Sequence, residues 1–147
     1  MIDIRNGDLL DINTDYIAQQ VNCRGVMGAG LALQIRKEYP SSYDMYRAIC
    51  QKYAPEELLG RMFICGHIIN VFGQLNYGRN RDIVYTNYSA LIAAFQEINR
   101  QLPSDKSIAF PYGFGCGLAN GKWETVLEII KECFPDREII ICKKGGD

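Results

Sequence analysis

Backbone amides are the groups in this chain whose placement is best suited to chemistry. Two glycine-bearing segments lie far apart: Asn22-Cys23-Arg24-Gly25-Val26-Met27-Gly28-Ala29-Gly30-Leu31-Ala32 and Phe110-Pro111-Tyr112-Gly113-Phe114-Gly115-Cys116-Gly117-Leu118. Each follows an apolar stretch that reads as a strand, and each precedes a helical pattern. A strand, a side-chain-poor loop and a helix N-terminus together present several N–H groups, and the helix end adds partial positive charge. One such loop cradles a phosphate. Two facing each other hold a diphosphate from both sides, so the pair points to a nucleotide-diphosphate ligand. A lone glycine loop is more often a plain turn; two at matching strand–helix junctions favour the ligand.

Few side chains near these loops offer reactive chemistry. Asp8, after Gly7, suits an exocyclic amine such as adenine's, or equally a turn or cap. Asn22 can donate and accept toward ribose hydroxyls, or fix the loop as an Asx turn. Cys116 lies between two glycines near a helix start, a setting that can lower a thiol pKa. A nucleophile also needs a base, and the single histidine, His67, is expected at the far end of its strand. Cys116 therefore reads as a small residue tolerated near a ligand. Tyr112 and Phe114 either wall a sugar or base, or pack beneath the loop.

The elements that must position these groups follow from periodicity. Strands are expected at residues 2–5, 16–21, 62–65, 68–72, 107–110 and 138–142, with a hairpin across Gly66-His67. Helices are expected from Gly30 to Tyr39, stopped by Pro40; along the face Tyr43, Tyr46, Ile49, Cys50, Tyr53; along Tyr88, Leu91, Ile92, Phe95, Ile98, Leu102; and along Trp123, Val126, Leu127, Ile130, Cys133, ended by Pro135. Gly73 to Arg81 reads as a polar loop, with Arg79 and Arg81 solvated, and Gly145-Gly146-Asp147 as a loose tail. Strands alternating with helices imply a central sheet covered on both faces, with ligands at the carboxyl ends of its strands.

Other readings are disfavoured. A dinucleotide fingerprint would need glycine at position 33, which is Leu33, and no Lys-Ser/Thr ending of the phosphate-loop kind is present. The six cysteines form no CxxC pair and lack metal-ligand spacing to His67, so no metal site or other cofactor is expected. A net charge of −1 gives no reason for strong direct nucleic-acid binding. At 147 residues the chain is read as one domain, residues 1–147. Without a signal-like or membrane-spanning segment, and with free thiols, the expected setting is the cytoplasm, with no membrane partner.

Taken together, these motifs resemble the macrodomain family over essentially the whole chain. The resemblance rests on Gly7-Asp8-Leu9, on Asn22 through Ala32 with its Met27-Gly28-Ala29-Gly30 core, and on Gly115-Cys116-Gly117-Leu118 followed by Trp123. The last two look like the branch containing the terminal ADP-ribose–protein and DNA ADP-ribosyl glycohydrolases. Asn70-Val71-Phe72-Gly73-Gln74 is similar to macrodomain ADP-ribose-1″-phosphate phosphatases.

The resemblance implies a three-layer α/β/α sandwich with a central mixed sheet and an ADP-ribose cleft. Asp8 and Leu9 would hold the adenine, and Asn22 would face the distal ribose. Met27, Gly28, Ala29, Gly30 and Leu31 would line one side of the diphosphate. Pro111, Tyr112, Gly113, Phe114, Gly115, Cys116, Gly117 and Leu118 would line the other. Two positions depart from the branch. Gln74 stands where a lysine attacks the ribose, and Ala119 where the protein glycohydrolase has an aspartate. The implied function is hydrolysis of an ADP-ribose derivative without covalent lysine, water being placed by Asn22 and Gln74. The alternatives are a non-catalytic reader of ADP-ribosylated targets and an unrelated nucleotide-binding α/β protein.

Overall fold

The computed structural model describes residues 2–144; the tail at 145–147 lies outside the described residues. The strands are β1 (Ile2–Asn6), β2 (Tyr16–Asn22), β3 (Met62–Cys65), β4 (Ile68–Gln74), β5 (Ile108–Pro111) and β6 (Ile139–Lys143). The helices are α1 (Gly30–Glu38), α2 (Pro40–Lys52), α3 (Pro55–Leu58), α4 (Tyr88–Gln101) and α5 (Trp123–Cys133). The strands form one mixed six-stranded sheet in the order β1-β6-β5-β2-β4-β3. All neighbours are parallel except the β3–β4 hairpin.

Side chains that alternate along the strands build the two cores. Ala18, Ile69, Val71, Ile108, Phe110, Ile139 and Ile141 face α4 and α5, meeting Leu91, Phe95, Ile98, Val126 and Ile130. Phe95 sits amid Phe110, Phe114 and Phe134, with ring centroids 5.5, 6.0 and 5.2 Å away. Each such aromatic contributes on the order of 1.5–3 kcal/mol by burial. Ile17, Ile68, Ala109 and Ile140 face the opposite way, onto Leu9 and Ile35, while Val21 and Phe72 meet Tyr46 and Leu58. The result is a three-layer α/β/α sandwich.

Several expectations shift at the margins. Pro40 ends α1 but also opens α2, since an N1 proline supplies no N–H that the helix needs. β4 runs to Gln74, two residues further than the apolar run, because β2 continues beside it to Asn22. Ile92 is exposed rather than buried, one residue off the Leu91–Phe95–Ile98 stripe. Tyr53 is exposed at the end of α2, where the Lys52 ammonium lies 5.4 Å from its ring centroid. The short 3₁₀ turn Leu9–Asp11 and α3 have no counterpart in the sequence reading.

Candidate functional site

β5 lies beside β2 at the centre of the sheet, so both glycine loops leave the same edge. They flank one cavity of about 770 Å³, within the size range of small-molecule sites. The first loop is shaped by Asn22, at a register shift between β2 and β4. Its amide oxygen accepts from Arg24 N–H (2.9 Å) and Val26 N–H (3.4 Å), and its amide nitrogen donates to the Val26 carbonyl (2.8 Å). Tyr46 of α2 reaches beneath: its hydroxyl lies 2.6 Å from the Asn22 carbonyl oxygen and accepts from Gly25 N–H at 3.1 Å. Beyond this anchor, the N–H groups of Gly28, Ala29, Gly30, Leu31 and Ala32 have no acceptor among the described residues.

The second loop is braced from below. Phe114 is buried among the core aromatics, and turn bonds run from Phe114 N–H to the Pro111 carbonyl and from Cys116 N–H to the Gly113 carbonyl. The Gly115 carbonyl accepts from the Thr86 hydroxyl (2.6 Å) and Gly121 N–H (3.0 Å). Gln20 ties the loop to the strand floor by donating to Thr86 Oγ1 (2.9 Å) and Gln74 Oε1 (2.8 Å). The N–H groups of Gly113, Gly115, Gly117 and Leu118 have no acceptor among the described residues. Unbonded amides therefore border the cavity from both sides, as an anion-binding pair requires.

The structure places most of the expected residues together. Asn22, Met27, Gly28, Ala29, Gly30, Leu31 and Gln74 line the cavity, as do Pro111, Tyr112, Gly113, Phe114, Gly115, Gly117 and Leu118. Three expected residues fall outside the lining. Asp8 is exposed and uses a carboxylate oxygen to cap Leu10 N–H at 3.0 Å. Leu9 is buried in the core facing α1. Cys116 turns inward, its thiol 3.3 Å from the Phe114 carbonyl. Burial first, then the Glu124 charge, pushes that thiol up to about 11, opposite to an activated nucleophile.

Both candidate catalytic amides are engaged. Asn22 is 7% exposed and committed to the loop, which is the Asx-turn alternative. It acts as an anchor in this conformation, not as a free group aimed at water. The Gln74 oxygen accepts from Gln20 and its nitrogen donates to the Asn76 carbonyl at 2.8 Å. Phe114 serves as both loop anchor and cavity wall. Tyr112 is exposed, with its ring centroid 4.8 Å from that of Trp123 and the Lys143 ammonium 4.9 Å from the ring.

Several lining residues were missed. Gln19 and Gln20 form part of the floor, and Tyr77, Gly78, Arg79 and Ala119 border the cavity. Gln19 is fully buried and donates to Asn70 at 2.7 Å, which in turn donates to Ser42 at 2.9 Å. Two glutamines inside an otherwise apolar strand were the available signal, since buried amides need partners. Arg79 is exposed, as expected, and also borders the cavity, where among the described residues no other charged side chain lines it. Another cleft, of about 590 Å³ beside α4 and α5, is bordered by neither glycine loop. Among the described residues no group of three or more His, Cys, Asp or Glu is placed to hold a metal, and no helix is long and apolar enough to cross a membrane.

The fold and cavity define an α/β/α domain with a nucleotide-sized cleft walled by unbonded amides. No family model matches the chain. The DNA ADP-ribosyl glycohydrolase of Mycobacterium tuberculosis is 30% identical over 99% of this chain, which spans 43% of that relative's length. An ADP-ribose 1″-phosphate phosphatase of Meyerozyma guilliermondii is 42% identical over 53 residues, covering 35% of this chain and 30% of that protein. The solved macrodomain of Mycobacterium tuberculosis DarG superposes with a TM-score of 0.78 at 28% identity, covering 97% of each chain. The chain belongs to the macrodomain family.

Proposed function

We propose that the cleft binds ADP-ribose and that the protein hydrolyses an ADP-ribose derivative at the anomeric carbon of the distal ribose, in the cytoplasm. The observation that carries this reading is the set of unbonded amides bordering one cavity from two loops. The relatives' names, which include both glycohydrolases and phosphatases of ADP-ribose compounds, support the chemistry. In this reading the adenine lies toward Tyr112, the diphosphate between the loops, and the distal ribose toward Gln74.

In the hydrolytic step a water oxygen bonds to the anomeric carbon, the bond to the substituent breaks, and the water proton ends on the departing group. Among the described residues no carboxylate, histidine or lysine lines the cavity. Gln74 Oε1 accepts one hydrogen bond, from Gln20, and keeps a lone pair that can orient water. A non-basic amide in place of a general base lowers rate by roughly 10²–10⁴-fold, so slow turnover is expected. The same lack of acid–base side chains favours a second reading, a non-catalytic reader.

Calorimetry with ADP-ribose tests the binding claim, and Gly30→Glu should abolish it by charging the diphosphate seat. Product release from ADP-ribose-1″-phosphate and from DNA-linked ADP-ribose separates hydrolase from reader, and Gln74→Ala should lower kcat with little change in KM. Binding without release from any substrate would leave the reader standing. Failure to bind ADP-ribose would remove both.

A further inference from the structure

A single file of hydrogen bonds runs from the segment after β4 to the second glycine loop. The Gln74 amide nitrogen donates to the Asn76 carbonyl at 2.8 Å, and the Gln74 oxygen accepts from Gln20 Nε2 at 2.8 Å. The same Gln20 nitrogen donates to Thr86 Oγ1 at 2.9 Å, and the Thr86 hydroxyl donates to the Gly115 carbonyl at 2.6 Å. Both ends of the file are backbone carbonyls, which only accept. The donors must therefore issue from the middle, and the two N–H groups of Gln20 supply them. Turning the Gln20 amide over would set its oxygen against the Gln74 oxygen. Turning Gln74 as well would set that oxygen against the Asn76 carbonyl. The reversal would also draw the single Thr86 proton away from Gly115. The space around Gln20 is shaped for the observed orientation. A Cβ at Gly73 would lie 2.5 Å from Gln20 Oε1, and one at Gly115 2.8 Å. Among the described residues that oxygen is buried with no hydrogen-bond donor. An apolar residue of the same shape would avoid that unpaired acceptor, so the amide's value lies in its donors.

We infer that Gln20 is a positioning residue of the cleft, whose NH₂ group sets the direction of the whole file and so holds the second amide loop and Gln74 in their ligand-facing orientations together. This rests on the ADP-ribose reading above, which puts the diphosphate between the loops and the distal ribose toward Gln74. The Gly115 carbonyl lies between the unbonded N–H groups of Gly115 and Gly117. Fixing that carbonyl fixes where both amides point. Gly121 N–H also donates to it at 3.0 Å, so without Thr86 the loop keeps one restraint of two. At the other end of the file, the bond from Gln20 leaves the remaining lone pair of Gln74 Oε1 for the cavity. One amide thus serves two subsites that come from distant parts of the chain.

The test is titration calorimetry with ADP-ribose on wild type, Gln20→Met, Thr86→Val, Thr86→Ser and the double variant Gln20→Met/Thr86→Val, each with its thermal unfolding midpoint. Met keeps the length of Gln20 without donors or charge. Gln20→Met is expected to weaken binding about tenfold, as loss of one hydrogen bond allows. Its unfolding midpoint should stay near wild type, because the unpaired oxygen leaves with the donors. Thr86→Val should lose a similar factor and Thr86→Ser should keep wild-type affinity. The double variant should lose no more than Gln20→Met alone, since both changes cut one file. In NMR spectra the Gln74 side-chain amide signals should move in Gln20→Met and stay in place in Thr86→Val. Wild-type affinity in folded Gln20→Met, or a double variant whose loss is the product of the two single losses, overturns the inference while leaving the ADP-ribose reading intact. Should Gln20→Met fail to fold, Thr86→Val against Thr86→Ser decides the question, and equal affinities overturn the inference. No binding of ADP-ribose in wild type overturns the reading itself, and the inference with it.

Discussion

The Tyr46 hydroxyl lies 2.6 Å from the Asn22 carbonyl oxygen and 2.9 Å from its amide oxygen, and accepts from Gly25 N–H. One buried phenol on α2 thereby fixes the bend that separates β2 from the first amide loop. Burial raises its pKa further above the ordinary phenol range, so it is a neutral donor throughout the physiological range.

Tyr46→Phe removes that donor and leaves Gly25 N–H without its acceptor. Leaving buried polar groups unpaired costs about 1–3 kcal/mol. Denaturant unfolding should show that loss, and ADP-ribose affinity should fall because the loop amides lose their anchor. Unchanged stability and affinity would show that Tyr46 merely fills space.

Gly115 adopts φ +73°, and a Cβ there would come within 2.8 Å of Gln20 Oε1 and 3.1 Å of Thr86 Oγ1. Gly115→Ala combines left-handed strain, of order 1–3 kcal/mol, with a clash against the brace under the second loop. Unfolding and ligand titration should both report it. Gly113→Ala has a similar strain at φ +78° but nothing within 4 Å of the added carbon, so it should perturb stability less.

Cys116 should be a poor nucleophile. Its thiol is held up to about 11 by burial and the nearby Glu124 charge. Burial pushes Cys23 up to about 12. Alkylation by iodoacetamide should be slow at neutral pH and accelerate only on approach to pH 11 at Cys116. Because the folded chain keeps these protons, the unfolded chain ionises first as pH rises. Stability therefore holds below the ordinary thiol range and falls as pH climbs from there toward about 11 for Cys116 and about 12 for Cys23. Fast labelling of Cys116 at neutral pH in the folded protein would contradict this placement.

Much of the fold was legible because strand alternation and helix stripes are local. Ile17-Ala18 and Ile139-Ile140-Ile141 point to opposite faces of one sheet, as their period-two spacing requires. The glycine loops were readable for the same reason: each sits directly between a strand and a helix. Illegible parts depend on distant partners. Gln20 meets residues 54 and 66 positions away, so its role as a brace appears only once β4 lies beside β2. Arg79 is exposed as read, but its place at the cavity wall was illegible because nothing nearby in sequence shows that Asn120 anchors its loop. Cys116 and Leu9 were placed by their motifs, but backbone turns point their side chains into the core. Asp8 ended a strand as expected, and its side chain then took the nearest free amide.

The account turns on two separate loops meeting one ligand, and NMR of the ¹⁵N-labelled protein titrated with ADP-ribose tests this most directly. Amide resonances of Gly28, Gly30 and Leu31 should shift on the same saturation curve as those of Gly113, Gly115 and Gly117. Shifts confined to one loop, or no saturable shifts in either, would contradict a shared diphosphate seat.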